Sequence, residues 1–197
     1  MQTTLSVPGD KRRGALLLRP WTVADLEGLT SEMAADYPTR GLHPPGPRTP
    51  AKEDAWIATQ DLGWRNADWL TFGIFEDAVR LVGQVGLKPR EAGTTVALCG
   101  VGEVSYWTAA SARGRGIASA AIDRVTSWAF KTFDAEGLRE IMAVHDVDNP
   151  ASCRVAENSG YRFERVSPAN PPLWFTDGHI HTRRRPALGD TSQGVIR

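Results

Sequence analysis

The sequence is poor in cysteine and histidine, carries no excess charge of either sign, and contains no long hydrophobic run. Cys99 and Cys153 are the only cysteines in 197 residues, which excludes a disulfide framework and points to reduced thiols in a cytoplasmic setting. Lysine plus arginine number 23 and so do aspartate plus glutamate, so no net field is available to hold nucleic acid nonspecifically. Leu16-Leu17-Leu18 is far too short for a membrane span or a signal core. His179 and His181 share one strand face, yet no third ligand follows at metal spacing, so no metal is expected. Neither nucleic acid nor membrane is an expected partner, and the chain is expected to act as a monomer or homodimer.

What is present begins with Glu103-Val-Ser-Tyr106-Trp107-Thr108, a strand pattern running into Arg113-Gly114-Arg115-Gly116-Ile117-Ala118. Ile117, Ala121, Val125, Trp128, Ala129 and Phe133 then recur at helical spacing. A glycine-rich turn opening a helix suits a pyrophosphate, because first-turn N–H groups lack intrahelical partners and carry the positive end of the helix dipole. Gly114 and Gly116 would let the backbone approach the phosphates, with Arg113 and Arg115 adding charge. The turn is neither a P-loop, which needs a Gly-Lys-Ser/Thr ending, nor a Gly-x-Gly-x-x-Gly dinucleotide fingerprint.

A second segment, residues 139–163, reads as a strand over Glu140–His145 followed by a helix with Asn149 as N-cap, Pro150 at its first position and Gly160 at its exit. Arg113-x-x-Gly116-x-Ala118 followed by Asn149-x-x-Ser152 and Asn158-x-Gly160-Tyr161 resembles the GNAT superfamily of N-acetyltransferases. The Glu103-x-x-Tyr106-Trp107 strand and the Asn149-Pro150-x-Ser152 helix start are most similar to the branch that includes the acetylases of ribosomal-protein N-termini. The resemblance covers residues 15–185. It implies an α/β (α+β) fold in one domain, with a central, mixed, mostly antiparallel twisted sheet of about seven strands flanked by about four helices. Residues 1–14 read as a flexible arm and 186–197 as a polar tail.

Outside the two motifs, Leu16–Arg19 reads as the first strand. A first helix capped by Thr22 places Val23, Leu26, Leu29, Thr30 and Met33 on one face. Residues 38–50 hold five prolines and are irregular; Pro50 starts a helix through about Gln60. Trp69–Phe75 and Leu81–Leu87 flank a turn and read as a hairpin.

The resemblance implies acetyl-CoA as co-substrate and direct transfer to an amine with no acyl-enzyme. Tyr106, Trp107, Thr108, Arg113, Gly114, Arg115, Gly116, Ile117, Ala118, Asn149 and Ser152 are the expected coenzyme contacts. An attacking amine must lose a proton and the departing thiolate must gain one. Glu103 is the first candidate base, the alternative being a structural carboxylate, and His145 the second, with core packing as its plainer explanation. Ser152 is the candidate acid, and Tyr161 a core aromatic. Cys153, beside it, reads as a small packed residue.

The ribosomal branch uses a glutamate downstream of the later helix, whereas Ala169-Asn-Pro-Pro-Leu-Trp174 has no carboxylate. The expected acceptor is therefore a small amine, a metabolite or antibiotic, held by Trp56, Trp64, Trp69, Trp174 and Asp36. Glu53, Asp54, Asp61 and Asp68 stand nearby in sequence. Such aromatic and acidic walls suit a cationic acceptor. A protein N-terminus or lysine is the alternative acceptor, and a non-catalytic acyl-CoA binder the alternative function.

Overall fold

Eight strands form one sheet in the order β1-β2-β3-β4-β5-β6-β8-β7 in the computed structural model, which describes residues 3–29, 50–90, 95, 100–171 and 175–186. For residues 50–54 only the backbone is described. The strands are β1 (Leu5–Val7), β2 (Leu16–Arg19), β3 (Leu70–Glu76), β4 (Arg80–Pro89), β5 (Val101–Thr108), β6 (Glu140–Asp146), β7 (Arg162–Ser167) and β8 (Gly178–Arg184). All neighbours run antiparallel except β5 and β6, so the mixed, mostly antiparallel sheet agrees with expectation, with one strand more.

The added strand is β1, which lies inside what reads in the sequence as a free arm. Leu5 pairs with Leu18 and is buried. Three residues are too few to show a period, so nothing local announced the strand; its partner in β2 supplies the stability. The expected tail from 187 onward lies outside the described residues.

Helices α1 (Pro50–Asn66), α2 (Ile117–Thr132) and α3 (Pro150–Asn158) accompany a 3-10 turn at Val23–Asp25 that continues into helical residues 26–29. Helix α2 buries Ile117, Ala121, Ile122, Val125 and Ala129 against Leu18, Phe72, Ile74, Val85, Leu87 and Val104, confirming the expected apolar stripe. A second cluster of Trp21, Leu26, Leu29, Trp56, Ile57, Phe75 and Leu81 is built from the segment after β2 and from α1. Val23 was expected on that buried face but is exposed, because the turn starting there is 3-10 and swings it outward. Thr22 holds its expected place, its N–H donating to Asp25 Oδ2 at 2.8 Å. Thr30 and Met33 lie outside the described residues. Helix α1 runs to Asn66, a turn and a half past the expected end. The β3–β4 hairpin forms as read, its three-residue loop between Glu76 and Arg80 carrying Asp77 and Ala78 at positive φ and the Val79 N–H donating to the Glu76 carbonyl at 3.1 Å.

Candidate active site

Strands β5 and β6 pair only from Val101↔Glu140 to Val104↔Ala143, although β5 continues to Thr108 and β6 to Asp146. Beyond that register the two strands part, while β5 stays paired with β4 up to Gly83↔Thr108. The opening faces the α2 start on one side and α3 on the other. Tyr106 spans it, its hydroxyl donating to the Ser152 carbonyl at 3.2 Å. Burial pushes the Tyr106 hydroxyl up to about 12, so it keeps its proton at neutral pH and remains a donor.

At the α2 start, Gly114 and Gly116 have φ of 74° and 77°, and Gly116 is the N-cap. A Cβ on either glycine would meet nothing within 4 Å, so the protein leaves room directly over this backbone. The first bond back into the helix runs from the Ala120 N–H to the Gly116 carbonyl at 3.0 Å, which leaves the N–H groups of residues 117–119 to face outward.

The two loop arginines differ. Arg113 is exposed and its Nε donates to the Thr108 carbonyl at 3.1 Å. Arg115, expected to supply charge to a phosphate, forks instead onto both carboxylate oxygens of Glu76 and donates through Nε to the Arg12 carbonyl at 3.1 Å. It fastens the loop to the end of β3 and to the N-terminal segment.

The Arg115 hydrogen bonds hold the Glu76 carboxyl below its ordinary range against opposing burial, with help from the Gly14 N–H. A depressed carboxyl stabilises the fold fully above its unfolded value of about 4.3 and loses that contribution as pH falls through the folded value. Melting temperatures of wild type and Glu76→Gln should therefore differ most at neutral pH and converge below about pH 4. A gap that persists unchanged into acid would remove the Glu76 ion pair as its cause.

On the α3 side, the Asn149 side chain accepts from the Ser152 N–H at 3.1 Å, with Pro150 in the first turn, so the expected cap is in place. Capping thus belongs to Asn149, and the Ser152 hydroxyl is left for other work. Asn149→Ala should lower stability by about 1 kcal/mol, whereas Ser152→Ala should lower single-turnover rate at unchanged melting temperature. The reverse pattern in Ser152→Ala would make that serine structural. Tyr161 is a core residue as expected, buried with its hydroxyl 2.6 Å from Thr126 Oγ1.

Glu103 and His145 fall on opposite sheet faces. Glu103 pairs in register with Met142, and His145 is three residues further along a strand whose side chains alternate. The Glu103 carboxylate is buried between Lys88 Nζ at 3.0 Å and the Arg90 guanidinium at 2.5 Å. This is also the face of Ser105, and Gly86 there lies against Ser105 Oγ and the Trp69 indole. His145 turns the other way, into a group with His179, His181 and Cys153 under α3, which separates it from Glu103. Burial holds the Cys153 thiol above its ordinary range, opposite to what a nucleophile needs. Sequence spacing showed only two of these histidines together, because Ala143↔His181 and His145↔His179 are tertiary pairings.

Among the expected acceptor residues, Trp56 packs edge-on to Trp21 at 5.5 Å inside the second apolar cluster. Trp64 donates to the Thr71 carbonyl at 2.9 Å and packs on Phe72 and Trp128. Both are wall-supporting core residues rather than open pocket surface. Trp69 is half-buried, with Lys88 Nζ 5.9 Å from its ring centre, and stays a candidate. Trp107, already expected as a coenzyme contact, also offers a buried indole N–H with no partner among the described residues. Asp61 and Asp68 are exposed. Asp36, Trp174 and the side chains of Glu53 and Asp54 lie outside the described residues.

Residues 15–162 match the family described as "Acetyltransferase (GNAT) domain". The chain belongs to the GNAT acetyltransferases. RimJ of Mycobacterium smegmatis in complex with CoA-disulfide is similar in structure, with a TM-score of 0.74 at 22% identity over 95% of this chain and 88% of that one. A putative ribosomal-protein-serine acetyltransferase from Vibrio cholerae gives 0.71 at 18%, over 93% and 98%. The microcin C7 self-immunity acetyltransferase MccE, in complex with acetyl-CoA and AMP, gives 0.70 at 18%, over 91% and 98%. At these identities the likeness is one of fold. No curated protein matches.

As a GNAT enzyme the protein takes its acetyl group from acetyl-CoA and transfers it to an amine. The residues present fit the coenzyme: open space over Gly114 and Gly116, outward N–H groups at residues 117–119, and a strand edge at 105–108 released from β6. Among the described residues, no helix is long and apolar enough to cross a membrane.

Proposed function

We propose that this GNAT enzyme acetylates a single α-amino group, that of a peptide N-terminus, rather than a polyamine or aminoglycoside. The observation that carries this reading is the charge around Glu103. Its one carboxylate is matched by both Lys88 and Arg90, so among the described residues this group is net cationic rather than acidic. A polycation would meet repulsion there. This departs from the cationic acceptor expected of aromatic and acidic walls. A peptide acceptor agrees with the similarity in fold to a putative ribosomal-protein-serine acetyltransferase.

The bound thioester supplies an acetyl group ready for attack by an amine. Glu103 takes the amine proton, directly or through water; a carboxylate has about four lone-pair sites, so two cations leave it capacity to accept. Lys88 and Arg90 fix its orientation. The Ser152 hydroxyl stands on the α3 side of the opening and donates toward the departing sulfur, while Tyr106 holds the Ser152 backbone through its carbonyl. The N–H groups at the α2 start hold the pyrophosphate, and Arg115 with Glu76 keeps that loop in shape.

A small aminoacyl metabolite is the second reading, favoured by the AMP bound to MccE, since the cations beside Glu103 would also suit an acceptor carrying an anionic group. Thiol release from acetyl-CoA, followed against N-terminal peptides, amino acids, aminoacyl adenylate analogues, polyamines and aminoglycosides, tests both. Peptides should give the highest kcat/KM. Preference for polyamines or aminoglycosides would overturn the charge argument.

A further inference from the structure

Three of the chain's four histidines and one of its two cysteines converge at one place outside the coenzyme opening. His145 comes from β6, His179 and His181 from β8, and Cys153 from α3. One ligand atom from each lies within 4.8 Å of all the others. The pairings His145↔His179 and Ala143↔His181 put the three rings on the sheet face that α3 covers, and Cys153 is set by the helix that Asn149 caps.

The polar groups here satisfy one another only in part. His145 Nδ1 is 2.9 Å from the Asp146 carbonyl, so Nδ1 carries the hydrogen and Nε2 the lone pair. Among the described residues that buried Nε2 has no partner, and neither nitrogen of the fully buried His181 has one. His179 Nδ1 stands 3.2 Å from Cys153 Sγ. Buried polar atoms are nearly always paired, so the unpartnered nitrogens of His145 and His181 call for a partner that these four side chains do not supply in this arrangement. A cation at their centre satisfies them together.

We propose that His145, His179, His181 and Cys153 form a transition-metal site whose natural occupant is Zn²⁺. The donor set excludes Mg²⁺ and Ca²⁺, which require oxygen, and three imidazoles with one thiolate suit tetrahedral Zn²⁺. Zn–N of about 2.0–2.1 Å and Zn–S of about 2.3 Å place ligand atoms about 3.3–3.6 Å apart, so the group must contract by roughly 1 Å. Burial holds His145 and His181 below the ordinary imidazole range, keeping them in the neutral form that ligates. The Asp146 carbonyl orients His145 in the manner common to metal-binding imidazoles. Cys153 would lose its proton to the metal, leaving a net single positive charge with Glu157 close enough to act on both Cys153 and His181. Phe163 covers the group, its ring centre 5.2 Å from that of His179 and 5.6 Å from that of His181. Cys153 and His179 remain partly open to solvent and give the ion a way in.

The metal takes no part in acetyl transfer. It braces α3 against β6 and β8, one residue from Ser152, and so holds the far wall of the coenzyme opening. Full-length protein stripped with a chelator and titrated with Co²⁺ tests the site. One equivalent should bind, with visible ligand-field bands of four-coordinate strength and a near-ultraviolet thiolate-to-cobalt band, and one equivalent of Zn²⁺ should bleach both. Cys153→Ser should lose the thiolate band. His181→Gln should weaken binding well beyond tenfold, since changes that merely disturb ligand orientation cost about 10–100-fold. Circular dichroism checks that both variants are folded. Absence of equimolar binding by folded wild type, or an identical cobalt spectrum in Cys153→Ser, would overturn the proposal.

Discussion

Glu103→Gln should lower turnover by about 10²–10⁴-fold while acetyl-CoA affinity stays near wild type. The substitution keeps the shape of the side chain and its place on β5 but removes the proton acceptor. It also leaves Lys88 and Arg90 beside each other without their common counter-charge, so some loss of stability accompanies it. The two effects separate experimentally. A carboxylate that merely ties β4 to β5 would show a lower melting temperature with a normal single-turnover rate in the folded fraction. Lys88→Met supplies the converse control, disturbing the pair while sparing the acceptor oxygen. Normal turnover in Glu103→Gln across pH 6–9 would exclude the base assignment.

The second large effect is expected at the coenzyme loop, where Gly116→Val should weaken acetyl-CoA binding by about 5–150-fold. Gly116 adopts φ of 77°, and a β-branched residue held there costs about 1–3 kcal/mol, at about 1.4 kcal/mol per tenfold. A Cβ there meets no described atom within 4 Å, which argues against overpacking within the fold as the cause. Gly116→Asn divides the remaining causes, because asparagine tolerates the left-handed region far better. Recovery of affinity in Gly116→Asn assigns the loss to backbone strain; a persistent loss assigns it to bulk over the phosphates. Calorimetry showing wild-type affinity in Gly116→Val would refute the loop as the pyrophosphate site.

What could be read from the sequence was local. Gly114, Gly116 and the stripe from Ile117 to Ala129 define strand, turn and helix within thirty residues, and Asn149-Pro150 marks a helix start by its own chemistry. The β3–β4 hairpin is similarly self-contained. What escaped was tertiary. Arg115 reads as a phosphate ligand until Glu76, 39 residues away, claims it. Glu103 shows no cations beside it until β4 brings Lys88 alongside, and Trp56 looks like a pocket wall until Trp21 covers it. His145 and His179 are linked only through the β6–β8 register.

The strand at Leu5–Val7 changes where the folding unit should be cut. The family match begins at residue 15, and trimming to that point would strip the partner from β2, baring Leu16 and Leu18 along an open sheet edge. Such an edge invites pairing between molecules, so a shortened protein should precipitate. The same cut removes Arg12, whose carbonyl accepts from Arg115, together with the Gly14 N–H that donates to Glu76. Removing the first fourteen residues would therefore loosen the grip on the cofactor from a distance, by freeing the arginine and the glutamate that hold its loop in shape.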